Sequence, residues 1–198
     1  MPTYLEQLTL RLAGGMGELP DAQRERHLTY FLAAQQEDGG FAGREGGSDL
    51  YYTGFGLRAL AILGELRGER AQRAAKFLRS KLRGQESVVD FFSLIYGGRL
   101  LEMAAGVEVF ADSDSQWPID PQWRSAVANW LLQLRRPDGG FAKGEQGAAS
   151  STYHTFLVAL CYQLLGRDVP GRERIVEFVL SRRRDRPFFA VLYLHGNR

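Results

Sequence analysis

The motif Asp-Gly-Gly-Phe occurs twice in this chain, at residues 38–41 and 138–141. An apolar, helix-like run precedes each copy, and a second one begins shortly after it, near residues 49 and 152. The paired glycines supply the positive φ that a helix end followed by a tight turn requires. A turn repeated between helices predicts an array of helical hairpins.

The helical pattern extends beyond these two turns. Amphipathic segments alternate with apolar ones along the chain, and four pairs can be aligned. The amphipathic segments are 27–36, 70–82, 125–134 and 172–183, and the apolar ones are 49–66, 88–105, 152–165 and a shorter 188–194. Because apolar helices must be buried, we expect them inside and the amphipathic helices outside. The sequence therefore predicts an all-α fold, an incomplete or small α/α toroid of about four hairpins, as a single domain over residues 1–198.

Composition excludes several classes of protein. The chain has 198 residues, 44% of them hydrophobic and 24% charged, with a formal net charge of +2. This balance does not predict a nucleic-acid partner, and no apolar run is long enough for a membrane span. The single cysteine, Cys161, cannot form an internal disulfide and is expected to be an inert core thiol. With no basic, apolar leader at the N-terminus, a cytoplasmic location is expected.

The turn and the helix starts after it, Ser48–Thr53 and Ser151–Thr155, resemble the prenyltransferase and squalene-oxidase repeat. That repeat builds the α/α toroid of protein prenyltransferase β subunits and of terpenoid cyclases. The resemblance implies a protein that binds an isoprenoid or another apolar small molecule in a central cavity. A prenyl diphosphate as ligand and prenyl transfer as activity are further implications.

The resemblance also implies a catalytic zinc ion, which the β subunits hold with Asp-x-Cys at one inner helix start and a histidine at another. Asp49 matches the aspartate and His154 the histidine, but Tyr51 stands where the cysteine is expected. The two matching residues are also two hairpins apart here, whereas the family places them in successive units. Asp90, at the start of another apolar helix, is a candidate third ligand. The alternatives are an N-cap role for Asp49 and a hydrogen bond from His154 to a neighbouring carbonyl.

Aromatic residues are frequent in the apolar helices. They are interpreted either as core or as the wall of the central cavity, where they could hold an isoprenoid chain or a carbocation. The candidate cavity residues are Tyr51, Tyr52, Phe55, Phe91, Phe92, Tyr96, Tyr153 and Phe156.

Two other hypotheses remain open. Asp112 and Asp114 supply two of the three acids of the cyclase motif, which leaves a terpenoid cyclase fragment as the weaker one, although a solvated loop is the favoured interpretation. The arginines at 182–184 are interpreted as a solvated helix end rather than a diphosphate site. An arc of four hairpins leaves apolar edges, which favour a homodimer or a partner subunit. A non-catalytic interaction scaffold is therefore the main alternative.

Overall fold

The computed structural model describes residues 2–82, 87–110, 122–146 and 149–183. This part of the chain forms eight α helices, one 3₁₀ turn (Met16–Glu18) and one two-stranded sheet. The helices are α1 Tyr4–Gly15, α2 Asp21–Ala34, α3 Leu50–Ile62, α4 Gly68–Ser80, α5 Val88–Ala105, α6 Trp123–Gln133, α7 Thr152–Leu164 and α8 Arg172–Ser181. The strands are β1 Phe41–Ala42 and β2 Ser48–Asp49.

The apolar helices α3, α5 and α7 form the inner layer of an α/α toroid. Helix α3 packs against α5, and α5 packs against α7, while α2 and α4 cover them from outside. The inner helices supply fully buried side chains such as Leu57, Leu60 and Leu101, and α4 buries an alanine-rich face that includes Ala74 and Ala75. The prediction of an all-α toroid with apolar helices inside is confirmed. The fourth apolar segment, 188–194, lies outside the described residues.

The aspartate of the repeated motif stabilises the turn by accepting hydrogen bonds. In the first copy, the Asp38 carboxylate accepts hydrogen bonds from the Gly40 amide at 2.9 Å and from the Ser48 hydroxyl at 2.8 Å. In the second copy, Asp138 accepts from the Gly140 amide and from a serine, Ser150. The carboxylate thus ties the turn to the segment that leads into the next inner helix.

The phenylalanine of the motif is apolar, so we expect it to fold back as a plug, and it is buried in both copies. Phe41 is buried against α3, where a Cβ added at Gly56 would lie 2.5 Å from its ring. The Phe41 amide donates to the buried Thr53 hydroxyl at 2.9 Å, and the Phe141 amide donates to Thr155 at the same distance. Each motif turn is therefore hydrogen-bonded to the first turn of the inner helix that follows it.

Three local expectations are corrected by the structure. The glycine-rich sequence of residues 42–48 predicts a loop, but β1 and β2 pair antiparallel at the ends of this segment, and the pairing is too short to leave an alternating pattern. The sequence Pro20-Asp21 predicts Asp21 as an N-cap, but α2 begins at Asp21 itself, because Pro20 fixes φ just ahead of the helix. Helix α3 ends at Ile62 rather than near 66, followed by Gly64 at φ +76°.

Helix α1 contacts all three described inner helices. The Glu6 carboxylate pairs with Arg99 of α5 at 2.7 Å, and the buried Thr9 hydroxyl hydrogen-bonds the Tyr96 hydroxyl of α5 at 2.6 Å. The Tyr4 amide donates to Gln163 of α7, and α1 also packs against α3. Helix α1 therefore bridges the inner layer and closes one end of the space in front of it.

Candidate functional site

An apolar cavity of about 290 Å³ lies between α1, α3, α5 and α7. Leucines of α1 and α7, including Leu5, Leu8 and Leu157, form part of its lining. Six of the eight predicted aromatic residues also line it: Tyr51, Phe55, Phe92, Tyr96, Tyr153 and Phe156.

Helical periodicity explains which aromatic side chains reach the cavity. Tyr51 and Phe55 are four residues apart on one face of α3, with ring centroids 4.9 Å apart. Tyr52 and Phe91 are each one position away from a cavity residue, Tyr51 and Phe92, and therefore lie on another face of their helix, outside the cavity lining. Tyr52 covers Gly43, and the ring of Phe91 lies 4.5 Å from that of Trp130 on the outer helix α6. The 3.6-residue period, applied to each helix, separates these two groups.

Four of the cavity aromatics are far more exposed than core residues. Tyr51, Phe55, Tyr153 and Phe156 are 42–52% exposed, although they stand on the most apolar helices of the chain. A packed core would bury them, since burial of such side chains is strongly favourable. They form an open aromatic wall and are not part of the packed core.

A second, polar pocket of about 690 Å³ adjoins the apolar cavity at the start of the inner helices. The two spaces share Tyr51 and Tyr153 as lining residues. The polar pocket adds Asp90, Lys143 and His154. Apolar and polar spaces thus meet at one edge of the aromatic wall.

His154 is fixed by its own helix cap. The Ser151 hydroxyl accepts from the His154 amide at 3.0 Å, capping α7, and lies 2.8 Å from the imidazole Nδ1. The bond to a hydroxyl replaces the bond to a carbonyl that the sequence suggested. Burial and the positive charge of Lys143 lower the pKa of His154, so the imidazole is neutral at neutral pH.

Two of the three candidate zinc ligands line one pocket. Asp90 accepts a hydrogen bond from the Ser87 hydroxyl at 2.6 Å and lines the polar pocket with His154. Asp49 is not part of that lining, and its carboxylate caps α3 by accepting from the Tyr52 amide at 2.7 Å. Across the described ranges, no group of three or more histidine, cysteine, aspartate or glutamate side chains is placed to hold a metal ion. The described donors therefore fall short of the three that a catalytic zinc ion requires, and zinc binding stays a prediction.

Cys161 and Arg182 are not among the residues that line the cavity. Cys161 is fully buried, and burial raises the pKa of its thiol, as an inert core cysteine requires. Arg182 is partly exposed and pairs with Asp138 at 2.8 Å. Asp112 and Asp114, the candidate cyclase acids, lie outside the described residues.

The prenyltransferase α/α toroid domain is the family whose model matches this chain, over residues 8–83 and 103–197. The chain therefore belongs to the prenyltransferase α/α toroid domain family. No curated protein and no solved structure shows significant similarity to it. Within the described ranges, no helix is both long enough and apolar enough to cross a membrane.

Proposed function

We propose that this protein binds an isoprenoid, or a similarly slender apolar chain, in the cavity between α1, α3, α5 and α7. The observation that carries the proposal is the open aromatic wall, which leaves four large rings half-exposed in a concave space. An apolar ligand would remove these surfaces from water, and that burial is the main source of affinity in such cavities.

The size of the cavity favours a single chain over a polycyclic product. Its volume of about 290 Å³ is at the small end of ligand pockets, which range from roughly 300 to 1,000 Å³. This supports a short prenyl chain and disfavours the terpenoid cyclase hypothesis.

Titration with farnesol, followed by calorimetry, tests this function. Phe156→Ala is expected to weaken binding about tenfold, since an aromatic contact of this kind is worth roughly 1.5 kcal/mol. Tyr30→Ala, which removes an exposed ring from the outer helix α2, is the matched control and should bind as the wild type does. Absence of saturable binding, or equal losses in both variants, would contradict the proposal.

Prenyl transfer is the finer proposal. The polar pocket would receive the second substrate beside the mouth of the cavity. Its nucleophile would form a bond to C1 of a prenyl diphosphate as the C1–O bond breaks and diphosphate leaves. The neutral imidazole of His154 is suited to accept the proton that the nucleophile loses. The zinc prediction belongs to this proposal and is tested by elemental analysis of protein purified without chelator. Stoichiometric zinc that disappears in His154→Gln and Asp90→Asn supports it, and metal-free, folded protein rejects it.

The second candidate function is an interaction scaffold, favoured by the surface of α8. Val176, Val179 and Leu180 share one face of that helix and are exposed. A second copy of the chain or a partner subunit would bury this apolar face. Native mass spectrometry tests the homodimer, and a monomer over the micromolar range contradicts it.

A further inference from the structure

Arg58 of α3 is the only charged residue that lines the apolar cavity within the described part of the chain. It is half-buried, and its guanidinium carbon lies 5.2 Å from the centroid of the Phe55 ring. Arg58 is seven residues beyond Tyr51 on the same helix. With a rise of 1.5 Å per residue, that places it about 10 Å further along α3, away from the polar pocket.

The Arg58 guanidinium has a cation–π contact but forms no hydrogen bond or ion pair with a described residue. Arg99, the half-buried arginine on the neighbouring helix α5, shows a contrasting arrangement, since it pairs with both Glu6 and Glu102. Glu6, the buried acid on α1, accepts from Arg99 and from the Thr3 amide.

A half-buried guanidinium normally has hydrogen-bond acceptors, as Arg70 and Arg79 have in backbone carbonyls, because partial removal from water is costly for a charge. The contact with Phe55 compensates for only part of that loss. An anion that entered the cavity would supply the missing charge-assisted hydrogen bonds, and the planar fork of arginine suits a carboxylate or a phosphate equally well.

We propose that Arg58 binds the anionic end of an amphipathic ligand whose apolar chain lies along the aromatic wall toward Tyr51 and Tyr153. The ligand class is a single-chain amphiphile with one carboxylate or phosphate group, oriented with its charge at the α1 end of the cavity. This inference rests on the proposed function of binding an apolar chain, and it adds the charge and the orientation of the ligand. It is an alternative to prenyl transfer, in which the diphosphate end of the donor would lie at the polar pocket. The same fixed positive charge would repel a carbocation in this space, which argues further against cyclase chemistry.

The test compares three probes that share one chain: farnesol, farnesoic acid and farnesyl monophosphate, titrated by calorimetry at low ionic strength. The wild type is expected to bind the better of the two anions at least tenfold more tightly than farnesol, the range for hydrogen bonds to a charged group. Arg58→Met keeps an unbranched apolar side chain and should abolish this preference while still binding farnesol. Arg58→Lys keeps the charge and should restore part of it. The stronger of the two anions identifies the headgroup as carboxylate or phosphate.

Arg26→Met, which removes an exposed arginine from α2, controls for the change in net charge and should keep the preference. Lys143→Met locates the headgroup. If that variant loses the preference and Arg58→Met retains it, the anion binds in the polar pocket and the inference is overturned. Equal binding of farnesol and both anions by the wild type also overturns it, although the proposed function then stands. If no probe binds, both fail.

Discussion

Gly39, in the first Asp-Gly-Gly-Phe turn, lies directly against the main-chain carbonyl of Arg73 on the next outer helix, α4. A Cβ added at Gly39 would lie 2.2 Å from that carbonyl oxygen, and Gly39 has φ +90°. In the second copy, Gly139 has φ +89° and stands in the same relation to Arg174 of α8, at 2.5 Å. Each turn is therefore the surface on which the outer helix of another hairpin docks.

Gly39→Ala should destabilise the protein by about 3 kcal/mol, since it combines an unfavourable φ with a backbone clash. Gly46 offers a matched control, because its φ is +85° but no atom lies within 4 Å of a Cβ built there. Gly46→Ala should cost only about 1 kcal/mol. Denaturant unfolding of both variants measures the difference. Similar losses for the two would mean that the contact with Arg73 contributes little.

Thr53→Val should cost about 1–3 kcal/mol, because it leaves the buried Phe41 amide without an acceptor. Thr152→Val changes the same atoms at an exposed helix start and should cost less than about 0.5 kcal/mol. Thermal or urea unfolding distinguishes the two. An equally mild Thr53→Val would indicate that the Phe41 amide finds another partner.

Glu6→Gln should destabilise the protein by about 1–3 kcal/mol at pH 7, by weakening the bond between α1 and Arg99. Burial alone would raise the pKa of Glu6, but the Thr3 amide and the Arg99 guanidinium outweigh it, and the pKa is lowered. A carboxylate with a lowered pKa stabilises the fold above its unfolded value of about 4.3 and loses that contribution as the pH falls through the folded value.

The difference in unfolding free energy between wild type and Glu6→Gln should therefore shrink below about pH 4. Urea unfolding at pH 7 and at pH 3 measures it. A difference that stays constant over this range would show that the Glu6 charge does not stabilise α1. Glu25→Gln, on the exposed face of α2, is the control and should change neither value measurably.

Lys143→Met should raise the pKa of His154 toward the ordinary value. Burial is the main cause of the lowered pKa, and the Lys143 charge is the second, so removal of the charge should reverse only part of the shift. Because the unfolded histidine binds a proton more readily, His154 also makes the fold less stable as the pH falls below about 6.5. Titration of the imidazole by NMR, assigned with His154→Gln, measures the pKa. Lys76→Met, on α4, should leave it unchanged.

The architecture and the turns could be predicted because their signals are local. The Asp38–Gly40 turn, the Phe41 plug and the Asp49 cap each depend on residues a few positions apart, and the structure has all three. Helix periodicity is also a local signal. Applied to α3 and α5, the 3.6-residue period separates Tyr52 and Phe91 from the aromatic residues that line the cavity.

The position of α1 could not be predicted in this way. It depends on pairs such as Thr9 with Tyr96 and Glu6 with Arg99, which are 87 and 93 positions apart in the chain. Nothing near Thr9 or Glu6 in sequence identifies these partners, so the closed end of the cavity became visible only in three dimensions. That Arg58 has no ion-pair partner among the described residues was hidden for the same reason, since a sequence shows a charge but not its neighbours.

The contact between Gly39 and Arg73 has a fixed direction along the chain, since the turn always contacts an outer helix that follows it in sequence. Each motif turn is completed by a helix that comes later in the chain, so the growing polypeptide finishes a hairpin only after the following outer helix has been made. Loss of α8 would expose Gly139 and Gly140 to solvent, since they lie against Arg174 and Phe178 of that helix. Loss of α2 would uncover no such turn, because α2 precedes the first motif. Deletion of the first outer helix and deletion of the last one should therefore differ in effect. Deletion of α8 should also destabilise the turn of the hairpin before it, whereas deletion of α2 should not.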